Sequence, residues 1–110
     1  VLVCGSRGWT DYRTIYNRLE SLPKDTVIIH GGARGADEIA DIAARNLGML
    51  CKVYPAQWGK FGTKAGMIRN IEMLDRKPDL VISFWDGNSA GTKHVIGIAK
   101  YRGISVEIIS

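Results

Sequence analysis

The sequence predicts an α/β fold, a Rossmann-like three-layer sandwich around a five-stranded parallel sheet. Three observations predict it. Short, nearly continuous apolar runs recur along the 110 residues, as strands buried on both faces require. Amphipathic stripes of helical period separate them. The 13 glycines gather where a run ends and a stripe begins, instead of spreading as they would in a linker. Alternating strands and helices joined by right-handed crossovers give such a sheet. Its ligands bind outside the carboxyl ends of the strands, near the point where strand order reverses.

Taken in order, "VLV" from Val1 reads as the first strand, and "GSRGWTD" (Gly5 to Asp11) as the elbow that follows it. Tyr12, Ile15, Tyr16 and Leu19 then form the first helical stripe. "TVIIH" from Thr26 is the second strand, running into "GGARG". Ala36, Ile39, Ala40, Ala43 and Leu47 repeat the helical spacing, and Gly48 closes that helix. "CKVYPA" from Cys51 is a weaker third strand. "PAQWGKFGTKAG" (Pro55 to Gly66) reads as a long irregular loop, a candidate wall or lid. Met67, Ile71 and Leu74 form the next stripe, stopped by Pro78. "DLVISFW" from Asp79 and "SVEII" from Ser105 are the last strands. Between them lies a stripe of Val95, Ile96, Ala99 and Lys100, ended by Gly103.

The length suits one domain spanning residues 1–110. At 45% hydrophobic and 24% charged residues, the balance is that of a globular chain. No apolar run is long enough for a membrane span and no signal-peptide pattern is visible, so the expected location is cytoplasmic. Cys4 and Cys51 lie beside apolar residues, without CxxC spacing or a histidine cluster. They read as free thiols of a reducing compartment, and no metal site is expected. The net charge of +4 and the pI near 9.3 suit a phosphate-bearing partner, but no continuous basic stripe marks a nucleic-acid surface.

Four segments should converge on the carboxyl edge of the sheet. In the first, Gly5 and Gly8 let a ligand approach the backbone, Ser6 offers a hydroxyl, and Arg7 offers a planar fork for phosphate or carboxylate. The second surrounds Arg34 with Gly31, Gly32 and Gly35 at a helix start, where backbone N–H groups would form an anion nest. Asp37 and Glu38 follow in the first helical turn, where they complement the helix dipole. The third is "KAGMIRN", with Arg69 and Asn70. The fourth is "FWDGNSAGTKH", where Gly87, Gly91 and Thr92 would make a second phosphate-binding turn. His30, ending a strand, reads as a satisfied, partly buried histidine as readily as a catalytic one. Trp9, Trp58 and Trp85 suit packing, with one available to stack on a base. Asp86 reads as a turn cap. The patterns GxxxxGK[ST], GxGxxG, HExxH and GxSxG are all absent, so no cofactor is predicted.

"CGSRGWTD", "HGGARGAD", "PAQWGKFGTKAGMIRNIEML" and "SFWDGNSAGT" together resemble the YspA-like branch of the SLOG superfamily, along essentially the whole chain. That superfamily includes cytokinin-activating phosphoribohydrolases, the DNA-uptake protein DprA, molybdenum-cofactor carriers and sensors of NAD- or ADP-ribose-derived signals. The resemblance implies a pocket for a nucleotide or nucleotide sugar, with no cofactor, and a homodimer paired through helices beside it. The phosphoribohydrolases carry Met-x-x-Arg-x-x-x-Met. Here "MIRNIEM" from Met67 is one residue tighter at its start and places Arg69 at the arginine. They also carry PGGxGTxxE. Gly91 and Thr92 match its GT pair, whereas the glutamate position falls on Val95, which can neither transfer a proton nor stabilise an oxocarbenium ion. The leading expectation is therefore a nucleotide-binding sensor or carrier. One alternative is a nucleoside-monophosphate phosphoribohydrolase, with Arg69, Asp37 and Glu38 as candidate catalytic residues. The other is a nucleic-acid binder of DprA type.

Overall fold

The computed structural model describes residues 1–110. Its elements, in chain order, are β1 (Leu2–Gly5), α1 (Tyr12–Glu20), β2 (Val27–His30), α2 (Ala36–Asn46), β3 (Leu50–Val53), α3 (Trp58–Phe61), a 3-10 turn (Gly62–Lys64), α4 (Ala65–Asp75), β4 (Leu80–Phe84), α5 (Ala90–Tyr101) and β5 (Ser105–Ile109). The five strands form one parallel sheet in the order β3-β2-β1-β4-β5. The predicted α/β sandwich is what the chain builds.

The period-2 alternation of the strands divides the core into two layers. Val3, Ile28, Ile82 and Phe84 point to one face and meet Ile15 and Leu19 of α1 and the alanines of α2. Leu2, Cys4, Ile29 and Val81 point to the other and meet Met73 and Leu74 of α4 and Val95 and Ala99 of α5. Ile15 and Leu19 are wholly buried, each adding roughly 1.5–3 kcal/mol of hydrophobic stabilisation. Small alanines at Ala36, Ala40, Ala43 and Ala44 form the buried stripe of α2.

Asp11 caps α1, accepting from the Thr14 amide at 3.1 Å. Ser89 caps α5 in the same way through Thr92. Gly48, just past the end of α2, takes the left-handed conformation that closes a helix. No helix is long and apolar enough to cross a membrane.

Three local expectations need correction. Pro55 to Gly66 is irregular only as far as Gln57: from Trp58 it folds into α3, the 3-10 turn and the start of α4. The stripe of α4 was misplaced, because Met67 and Ile71 are exposed while Ala65, Asn70, Met73 and Leu74 are buried. Finally, α5 begins at Ala90, five residues before the Val95 stripe, so Gly91 and Thr92 lie in its first turn.

Gly35 fixes how closely the two central elbows approach. Its φ is +80°, and a Cβ there would overlap the backbone carbonyls of Ser6 and Arg7. Gly97, by contrast, sits on exposed α5 with nothing within 4 Å of the Cβ position. Gly35→Ala is expected to cost roughly 2–3 kcal/mol in urea unfolding. Gly97→Ala is expected to stabilise by roughly 0.5–1 kcal/mol. Equal effects at the two positions would contradict this account of the elbows.

Candidate functional site

The carboxyl ends of β1 and β4, where strand order reverses, open into a cleft of about 500 Å³. A smaller pocket of about 240 Å³ adjoins it, and Arg7, Ala33 and Arg69 line both.

One wall is the elbow between β2 and α2. Its amides are already engaged within the protein. Asp37 Oδ2 accepts from the Gly31 amide at 3.0 Å and the Ala33 amide at 3.2 Å. The Gly32 amide donates to His30 Nδ1 at 3.0 Å. The group that this nest holds is the protein's own Asp37 carboxyl. Burial pushes the Asp37 carboxyl above its ordinary range, against the opposing pull of the two amides, His30 and Arg69.

His30 is buried and fully satisfied. Because Nδ1 accepts from Gly32, the proton sits on Nε2, which donates to Asp41 Oδ2 at 2.6 Å. Burial opposes ionisation of Asp41, but bonds from Arg45 and His30 outweigh it and hold the carboxyl below its usual range. His30, Asp41 and Cys51 bring metal-ligand atom types within 4.8 Å of one another. A metal at Nε2 would need the other tautomer and would break the bond to Gly32.

The opposite wall comes from α4. Arg69 Nη1 donates to the carbonyls of Gly31 at 2.7 Å and Tyr54 at 3.4 Å, and Nε donates to Asn70 Oδ1 at 3.0 Å. A Cβ on Gly31 would overlap this guanidinium, so glycine is what admits it. Burial lowers the Arg69 pKa; Asp37 opposes the shift and Arg7 adds to it. The group still stays charged, as arginines do. Asn70, 5% exposed, gives its amide N–H groups to the Gly91 carbonyl and His94 Nδ1, tying α4 to α5.

The third wall is the turn from β4 into α5. Ser6 Oγ accepts from the Asp86 amide at 2.9 Å, linking the first and fourth elbows. Asp86 Oδ1 accepts from the Asn88 amide at 2.8 Å; this bond and Ser6 hold the exposed carboxyl below its ordinary range. The first turn of α5 leaves the amides of Ala90 and Gly91 without a protein acceptor, and both residues line the cleft with Arg7 and Arg69.

The model of the YspA, cpYpsA-related SLOG family matches residues 1–61. The chain is also 38% identical to the Gene 61 protein of Mycobacterium phage D29, over 96% of this chain and 92% of that protein. The chain belongs to the SLOG family. Membership marks it as a domain of the nucleotide-binding or nucleotide-processing kind. No solved structure matches it.

Within this SLOG domain, Gly5, Ser6, Arg7, Asp37, Arg69, Asn70, Gly91 and Thr92 all line the cleft. Gly31, Gly32 and Arg34 line the adjoining pocket instead. Gly35 and Gly87 line neither; both have positive φ and shape their turns. Glu38 points to solvent. Thr92 is buried, its hydroxyl bonded to Ser89 Oγ. Val95 is buried against the core at the cleft floor. Trp9 packs on Phe84 and Trp85 braces the α5 turn through Ser89, while Trp58 stays exposed beside the smaller pocket. Asn88 and Ser89 were missed as lining residues. The Ser-x-x-Thr spacing of a helix cap was the available signal. Cys4 faces the cleft as an inert thiol, its pKa pushed up to about 12 by burial.

The raised pKa of Asp37 has a definite sign. The folded chain keeps this proton to higher pH than the unfolded chain, whose carboxyl titrates near 3.8. The stability it contributes is therefore full below that value and is lost as pH rises through the folded pKa. Asp37→Asn keeps an oxygen for both amides and cannot ionise. It should flatten that decline in urea titrations run from about pH 4 to about pH 7. An identical slope in the two proteins would refute it.

Proposed function

We propose that this SLOG domain binds a nucleotide-derived ligand, with its phosphate in the cleft between β1 and β4. The observation that carries the proposal is a convergence. Ala90 and Gly91 at the start of α5, the unpaired Arg7, and Arg69, whose Nη2 makes no hydrogen bond, all line one space. Asp86 and Asn88 on the rim supply acceptors suited to sugar hydroxyls. The domain then acts as a sensor or carrier.

Hydrolysis of an N-glycosidic bond is the second reading, and one observation favours it: Asp37 places a carboxyl of raised pKa in the cleft, where it could serve as the acid that Val95 cannot be. Incubation with nucleoside monophosphates, followed by chromatography for free base, separates the two readings. Release of base abolished by Asp37→Asn would establish the hydrolase.

Calorimetric titration with AMP, ADP-ribose and NAD tests binding. Arg7→Ala should weaken it roughly ten-fold without changing the melting temperature, since Arg7 is exposed and makes no ion pair. Arg69→Ala should weaken binding and also destabilise, because it frees the Gly31 and Tyr54 carbonyls. A folded sample that binds none of the three would sink the proposal.

Pairing of two copies belongs to the same reading, with the exposed Met67 and Ile71 of α4 against the partner. Sedimentation should show a dimer that Met67→Glu converts to monomer; a wild-type monomer at every concentration would remove pairing.

A further inference from the structure

The smaller pocket beside the cleft sets Arg34 and Trp58, which phosphate binding in the cleft leaves unused, beside the two arginines shared with the cleft. Its walls carry Arg7, Arg34, Arg69 and the indole of Trp58. The molecule's ion pairs engage Arg18, His30, Arg45 and Arg102, and none of these three arginines. Three unpaired guanidinium groups around one hollow repel one another, and an anion between them would relieve that repulsion.

Trp58 differs from the other two tryptophans. Trp9 and Trp85 each give the indole N–H to a backbone carbonyl. The Trp58 indole makes no hydrogen bond and is 54% exposed. It leans on α4 over Gly66, with its ring edge 3.5 Å from where a Cβ on that residue would lie. An indole braced at its edge, half exposed and lining a pocket next to cations, suits stacking of a heteroaromatic base.

Arg69 joins the two hollows. Its Nη1 is pinned to the Gly31 and Tyr54 carbonyls and its Nε to Asn70, so the guanidinium is fixed on the boundary. Arg7 flanks the same boundary.

We infer that the smaller pocket is a second subsite, where a base stacks on Trp58 while Arg69 and Arg7 hold a pyrophosphate between the two pockets. The ligand is then a two-ended nucleoside diphosphate conjugate, with its sugar end in the cleft. The inference rests on the reading that the cleft takes a phosphorylated sugar, and the experiment separates the two.

The full chain is titrated with ribose 5-phosphate, which has no base, and with ADP-ribose, which has one. Wild type, Trp58→Ala and Trp58→Phe are compared. ADP-ribose should bind tighter than ribose 5-phosphate by on the order of ten-fold or more. Trp58→Ala should close that gap, and Trp58→Phe should keep most of it. A gap that persists in Trp58→Ala overturns the inference, as does an equal loss for both ligands. Ribose phosphate binding with no gain from ADP-ribose overturns the second subsite and leaves the cleft reading standing. Binding of neither ligand overturns both. A Trp58-dependent gain seen with a short single-stranded oligonucleotide but not with ADP-ribose also overturns it, in favour of nucleic acid.

Discussion

The site depends on one buried carboxyl group. Asp37 sits in the first turn of α2 and accepts from the amides of Gly31 and Ala33, so the elbow after β2 folds around a side chain supplied by its own helix. Everything nearby is arranged by that closure. The Gly31 carbonyl is presented to Arg69, Gly32 turns its amide to His30, and Arg34 is left at the exposed tip. An ion held in a nest of amides this close to solvent would ordinarily be a bound anion. Here the Asp37 carboxyl fills the nest, which leaves only the unpaired arginines and the start of α5 to meet an external anion.

The ion pairs of the molecule fit that layout. Three arginines outside the pockets are matched: Arg18 with Glu107, Arg45 with Asp41, Arg102 with Asp75. The arginines at the edge are not. Surface pairs of this kind add little stability. Their consequence is that Arg18, Arg45 and Arg102 are neutralised locally, whereas Arg7, Arg34 and Arg69, which line the two pockets, keep unpaired charge.

Much of the fold was legible in the residues. β1, β2 and β4 are central and buried on both faces, so their apolar runs are unbroken; α1 and α2 each bury a single apolar stripe. Legibility failed where burial is not apolar or an element is too short to show a period. α3 has four residues, less than is needed to reveal a repeat. In α4 a polar side chain, Asn70, occupies the inner face because α5 satisfies it, while Met67 and Ile71 turn outward; of the expected stripe, Leu74 alone packs in the core. The convergence of the elbows was readable from topology. The destination of their amides was not, because Asp37 fits the helix dipole equally well whether or not it reaches back.

The glycine loop after β2 also has a thermodynamic consequence. Three successive amides, from Gly31 to Ala33, have acceptors inside the protein, so a segment of surface loop behaves as part of the core. Loops around ligand sites commonly order on binding and give up conformational entropy as they do so. This one has already lost that freedom during folding. A ligand entering the cleft meets a wall already in its final shape, so the free energy of its contacts is spent on affinity rather than on freezing the backbone.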